Sequence, residues 1–157
     1  MNKILLGVAV LAMAGLTFSC NRGPDVEPSF LRAQVGGASF VATVGGWGYD
    51  PVSDPQRIII NGSDSVGNQI IIKVNATEPG TYSVELTDGD AEATYVNARG
   101  TADTSDDLYY FGETGAIDIQ NISDGRILGI FTFRGVDIDT DATVSITAGE
   151  FSLGTSE

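Results

Sequence analysis

Three carboxylates at alternate positions, Asp137, Asp139 and Asp141, resemble the opening of a calcium loop. A hard cation of that kind takes several oxygen ligands at about 2.3–2.6 Å. An EF-hand needs glycine at the sixth position of such a loop and glutamate at the twelfth. Ala142 and Ala148 stand there instead, and Glu150 is out of register. Two readings follow: a weak calcium site of another geometry, or a solvated hairpin loop in a very acidic protein. The second chemical candidate is Gly45-Gly46-Trp47-Gly48-Tyr49-Asp50, which places the one tryptophan in a glycine-rich stretch that reads as a flexible loop. There Trp47, with Tyr49, has the ring surface to stack on a sugar or pack a peptide. Trp47 has the alternative of folding back to cover an open end of the sheet structure.

The inventory closes off most catalysis. With no histidine and one cysteine, the chain has no Ser-His-Asp triad, no Cys-His pair, no His-ligated metal and no zinc knuckle. Hydrolysis by two carboxylates needs only a pair about 5–9.5 Å apart, but nothing in the spacing singles out a pair among 21 acids. The expectation is a protein that is not an enzyme, with no cofactor unless calcium binds. A net charge of −13 repels phosphate backbones and anionic headgroups, so nucleic acid is excluded as a partner.

Those candidates sit in a chain with an export address. Met1-Asn2-Lys3 gives a positive start, and Ile4 to Met13 is an apolar run too short for a bilayer, which takes roughly 20 residues. Leu16-Thr17-Phe18-Ser19-Cys20 resembles a bacterial lipoprotein cleavage box, in which the cysteine is acylated and becomes the mature N-terminus. The alternative, cleavage after Ala12-Met13-Ala14, leaves Cys20 as a lone thiol in an oxidising compartment. The organisation that follows is a signal over residues 1–19, a lipid-anchored tether over 20–29 containing Pro24 and Pro28, and one domain over 30–154. Membrane attachment then comes from acyl chains on Cys20, because the acidic surface offers nothing to headgroups. Asn21 after the cysteine lacks the Asp that resembles an inner-membrane retention signal, which favours the outer membrane. The spread-out acids Asp25 and Glu27, with Arg22 beside them, do not resemble the acidic cluster of surface-exported lipoproteins of Bacteroidota, and this favours the periplasmic face.

From Phe30 onward, stretches rich in Val, Ile, Thr, Tyr and Phe alternate with Gly, Asp, Asn and Pro, and none keeps an apolar period of 3.6. At 42% hydrophobic and 18% charged, the chain can bury a core. Leu31, Ala33 and Val35 share a face, Gly36-Gly37 supplies a tight turn, and Phe40, Ala42 and Val44 return as the second strand of a hairpin. The triplets Ile58 to Ile60 and Ile70 to Ile72 predict strands covered on both faces. Tyr82, Val84 and Leu86 alternate with polar residues. Leu108 to Phe111 is an aromatic strand, and Tyr109, Tyr110 and Phe111 divide between core and surface. Gly115 to Ile122 follows, then an Asp124-Gly125 hairpin turn. Ile127, Gly129, Phe131 and Phe133 share one face, the glycine leaving room for a neighbour. Val144 and Ile146 differ in parity from Phe151 and Leu153, which requires a bulge near Ala148-Gly149. The fold class is all-β: an antiparallel β-sandwich of about nine or ten strands, with a closed β-barrel as the alternative.

These anchors together resemble a family of small single-domain Bacteroidota lipoproteins of unknown function. The residues that carry the resemblance run from Phe30, Ala33, Val35, Gly37 and Phe40 through Gly80-Thr81-Tyr82, Tyr95, Gly115, Ile117 and Ile119. It ends in Arg126, Ile127, Gly129, Phe131 and Phe133, then Ile146, Thr147, Gly149 and Phe151. Each is a core or turn position, so the resemblance implies a fold and carries no functional residue. The functional expectation is a lipid-anchored binding or interaction module of the cell envelope, with an unknown glycan or envelope protein as partner. A glycan-binding accessory, a calcium-stabilised structural module and a carboxylate hydrolase are the alternatives.

Overall fold

The computed structural model describes residues 28–100 and 103–155; the expected signal, Cys20 and all but the end of the tether lie outside them. Ten strands are formed among the described residues: β1 Phe30–Val35, β2 Ala38–Val41, β3 Val44–Tyr49, β4 Ile58–Ser63, β5 Gln69–Val74, β6 Gly80–Glu85, β7 Ala91–Asn97, β8 Leu108–Ser123, β9 Arg126–Val136 and β10 Thr143–Gly154. The only helix among those residues is a single 3-10 turn at Thr104–Asp106, capped by the Asp103 side chain. The all-β expectation and its strand number hold.

The strands form one continuous sheet in the order β2, β1, β10, β9, β8, β6, β7, β5, β4, β3, with β8 also pairing with β7. Pairing is antiparallel except where β6 meets β7 at Val84 and Ala91. The two ends of this order, β2 and β3, are separated along the chain only by Ala42 and Thr43. The sheet must therefore curl until its ends share one run of backbone. The Ala42 N–H donates to the Leu31 carbonyl (2.9 Å) and the Thr43 N–H to the Ser63 carbonyl (2.8 Å), so consecutive residues bond to opposite ends of the sheet. A parallel bridge between Trp47 and Thr155 adds a further link. The outcome is a curled, barrel-like sheet around one core.

Alternation builds that core. Ile58, Ile60, Ile70, Ile72, Ile117, Ile119 and Ile127 are fully buried inside the curl, each worth about 1.5–3 kcal/mol against exposure. The β8–β9–β10 surface is packed by glycine opposite phenylalanine: Gly129 pairs with Phe151, Phe131 with Gly149, and Phe133 with Gly115. A Cβ on Gly129 would lie 2.5 Å from Phe151 Cζ, and one on Gly149 2.6 Å from Phe131 Cδ2, so each ring occupies the space its partner leaves. The rings also stack on one another, Phe131 with Phe151 at 6.2 Å and with Phe133 at 6.4 Å.

The expected bulge is present. The β9–β10 register shifts between Ile146 and Gly149, and Ala148 takes φ = 47°, which puts Ile146 and Phe151 on the same buried face. Asp124 and Gly125 both have positive φ, as do Gly36 and Gly37, the backbone of a two-residue hairpin turn that follows the sheet's twist. Four expectations change. Val44 is exposed because the chain bends at Ala42-Thr43 to pass from β1 to β4. Leu86 lies just past the end of β6 and is exposed. Ile59 and Ile71, the middle members of the triplets, are half-buried on the outer face rather than covered. Residues 108–123, expected as two strands, form one with register shifts at Gly112/Thr114 and Ile119/Asn121.

Candidate functional site

Trp47 is not an exposed platform. Gly45 to Tyr49 is strand rather than loop, because Gly45, Gly46 and Trp47 pair with Gly62, Asn61 and Ile60 of β4. The Trp47 side chain turns inward and is 4% exposed. Its Nε1–H donates to the Gly125 carbonyl (3.1 Å), which ties β3 to the β8–β9 turn. Tyr49 is exposed and meets Trp47 edge-on at 5.5 Å. The pair thus covers the end of the sheet, and of the two only Tyr49 presents ring surface to solvent. That end is also where the domain begins: Arg126 Nη2 donates to Ser152 Oγ (2.7 Å) and to the Pro28 carbonyl (3.4 Å), and the Gly154 N–H donates to Ser29 Oγ (3.3 Å).

Asp137, Asp139 and Asp141 lie in the β9–β10 turn, towards the other end. Asp137 is 6% exposed, and its Oδ1 accepts from the N–H groups of Asp139 (2.9 Å) and Thr140 (3.2 Å). The turn closes through Asp137 N–H to the Ala142 carbonyl and Asp141 N–H to the Asp137 carbonyl, both 2.8 Å. Asp137 is therefore committed to backbone capping, a local use of the carboxylate that sets turn geometry. Among the described residues no group of three or more Cys, Asp or Glu is placed to hold a metal ion. Asp64 does the same work in the β4–β5 turn, accepting from the N–H groups of Val66 (3.0 Å) and Asn68 (2.9 Å).

A surface that the sequence reading did not single out lies on the outer face of β5, β7 and β8. Ile71 pairs with Thr94, Thr94 with Phe111 and Phe111 with Val136, so one outward row crosses four strands. Beside it Val96, itself buried, pairs with Tyr109. Leu86 (48% exposed), Tyr109 (44%), Phe111 (38%) and Ile138 (63%) stand up from this face. Three depressions of about 340, 410 and 130 Å³ adjoin here: the first two share Phe111 and Ile138, and the third meets them at Lys73, Glu92, Thr94 and Tyr109. Acids border the apolar ground, namely Glu85, Glu92, Asp107, Asp137 and Asp139, with Lys73 in the lining and Arg57 3.3 Å from Glu92. Lys73 itself lies 3.9 Å from Glu92. The signal available in sequence was the unbroken apolar character of Ile70 to Ile72 and Tyr109 to Phe111, which marks strands with two apolar faces.

Four described groups titrate away from their ordinary values. The Glu150 hydrogen bond and charge raise Arg32, and burial, helped by Glu78 and Asp90, raises the Tyr82 phenol. Burial raises the Tyr95 phenol, helped by Asp64 and Tyr110 nearby. The Ser105 side chain and N–H hold the Asp103 carboxyl below its usual value.

A family model described as a domain of unknown function, DUF6252, matches residues 30–153, from the first residue of β1 to the penultimate residue of β10. No curated protein and no solved structure matches the chain.

Proposed function

Since the chain belongs to the DUF6252 family, whose description carries no activity, we propose from its own residues a lipid-anchored envelope lipoprotein acting as a non-catalytic binding or interaction module. Leu16-Thr17-Phe18-Ser19-Cys20 is the cleavage box, Cys20 carries the acyl chains, and residues 20–29 tether the domain to the periplasmic face of the outer membrane. The observation that carries the binding role is the filled interior. Phe40, Ile60, Ile72, Ile117, Phe131 and Phe151, from six different strands, meet in one buried cluster, so recognition falls to the outer surface, where the depressions described above lie. An absent histidine inventory and carboxylates spent on turns support a module without catalysis. Of the alternative ligands, a glycan would have Tyr49 alone as its exposed ring at the Trp47 end, which favours an envelope protein as partner.

The anchoring is tested by growing a Gram-negative host that expresses the full chain in labelled palmitate. The wild-type chain takes up label and sediments with outer membrane, and Cys20→Ala does neither. Label retained by Cys20→Ala, or no label in the wild type, overturns it.

A further inference from the structure

The outer face of β5, β7 and β8 has an apolar surface that the other described residues leave uncovered. Leu86, Tyr109, Phe111 and Ile138 leave apolar surface in water beside half-buried Ile71 and above Val96. Contiguous exposed apolar ground rimmed by charge is the anatomy of a protein contact: an apolar, aromatic-rich centre within a polar border. The border decides the occupant. Of the five acids around the depressions, Glu92 is met by Lys73 and Arg57 and Asp137 caps its own turn, which leaves Glu85, Asp107 and Asp139 with no ion pair among the described residues. A second copy of this chain would bring another −13 charge against the same border, and an anionic lipid surface would be repelled in the same way.

We infer that this groove is the docking surface of the module, and that it receives a segment of another protein in which apolar side chains alternate with lysine or arginine. The apolar side chains cover Phe111, Tyr109 and Ile138. The cations meet Glu85, Asp107 and Asp139. Charge across such a border acts chiefly on the rate of encounter and on partner choice, while the desolvated apolar centre holds the complex. The inference rests on the reading of the protein as a binding module and names the class of its partner. The groove and the start of the domain are also apart. Ile138 sits in the β9–β10 turn, whereas Pro28 and Ser29 lie beside the β8–β9 turn at the opposite end of β9, so the chain enters the domain away from the groove.

The test uses the isotopically labelled full chain in neutral detergent, titrated with three synthetic decapeptides that alternate leucine with lysine, leucine with glutamate, or serine with lysine. The leucine–lysine peptide should shift backbone resonances of Thr94, Tyr109, Phe111 and Ile138 saturably. Its affinity should fall about tenfold from low to high salt. The other two peptides should bind at least tenfold more weakly. Leu86→Ser and Ile138→Ser, at exposed sites outside the strands, should each weaken binding severalfold while leaving the melting temperature in place. Phe111→Ser is then not needed, should it fail to fold. Equal binding of leucine–glutamate or serine–lysine, shifts confined to another face, no shift with any peptide, or self-association through these residues would each overturn the inference. Palmitate labelling reads the anchoring by itself, so failure of the groove and failure of the lipoprotein reading are told apart.

Discussion

At Gly129 and Gly149 the missing Cβ is as much a part of the core as any side chain. A methyl at Gly129 would meet the Asp118 carbonyl at 2.3 Å and Phe151 Cζ at 2.5 Å. Backbone cannot yield cheaply, so Gly129→Ala should cost about 2–3 kcal/mol in a urea titration. Gly37→Ala meets nothing within 4 Å but keeps φ = 86°, and should cost about 1 kcal/mol for backbone strain alone. A result in the reverse order would contradict the Gly–Phe packing. Trp47 offers a second measurement. Its indole is buried and bonded to the Gly125 carbonyl, so its emission should be that of an apolar site, resist acrylamide, and stay unmoved by soluble glycans. Trp47→Phe keeps most of the ring and leaves the Gly125 carbonyl its bond from the Thr155 N–H (2.9 Å), so the loss of one hydrogen bond should cost about 1 kcal/mol.

Elements here are shaped by turns that use carboxylates as backbone caps. In the β9–β10 turn Asp137 accepts two N–H groups, whereas Asp139 and Asp141 are exposed. Asp137→Ala should therefore lower stability by about 1–2 kcal/mol, and Asp139→Asn or Asp141→Asn should stay within about 0.5 kcal/mol. At constant ionic strength, excess calcium should leave the melting temperature where it is. A rise that saturates with calcium and vanishes in Asp139→Asn would instead identify a site, by linkage of binding to folding. The bulge between Ile146 and Gly149 belongs to the same scale. Ala148 sits at φ = 47°, and Ala148→Gly should stabilise by about 0.5 kcal/mol once the unfolded-state entropy of glycine is set against the relieved strain.

For the molecule as a whole, charge and the buried phenol set how stability responds to solution conditions. With a net charge of −13, self-repulsion opposes compactness, so moderate salt should raise the melting temperature at neutral pH. Tyr95 has its folded pKa raised by burial. A raised pKa means that the folded state holds the proton more tightly than the unfolded chain does. That contribution is complete below the unfolded value of about 10 and is lost as pH rises through the folded one. Stability should accordingly fall on the alkaline side of pH 10, and Tyr95→Phe should flatten that decline in denaturant titrations. An unchanged slope in Tyr95→Phe would assign the alkaline loss to other groups.

Alternation along the chain was enough to determine an all-β fold, its strand number, the hairpins at Gly36-Gly37 and Asp124-Gly125, and the bulge near Ala148. Each of these is a local consequence: a period of two, a positive φ, or a change of parity between Ile146 and Phe151. The proposed cleavage box at Leu16 to Cys20 is likewise read from a linear pattern. Position relative to other strands was not legible. Whether Trp47 lies in a loop or a strand depends on β4 pairing with it, and whether Ile71 and Phe111 are covered depends on which strands lie alongside. The sheet's curl, made necessary because β2 and β3 are joined by two residues yet stand at its opposite ends, decided those neighbours. Only tertiary structure could therefore turn Trp47 inward and gather Leu86, Tyr109, Phe111 and Ile138 from distant parts of the chain onto one outer face.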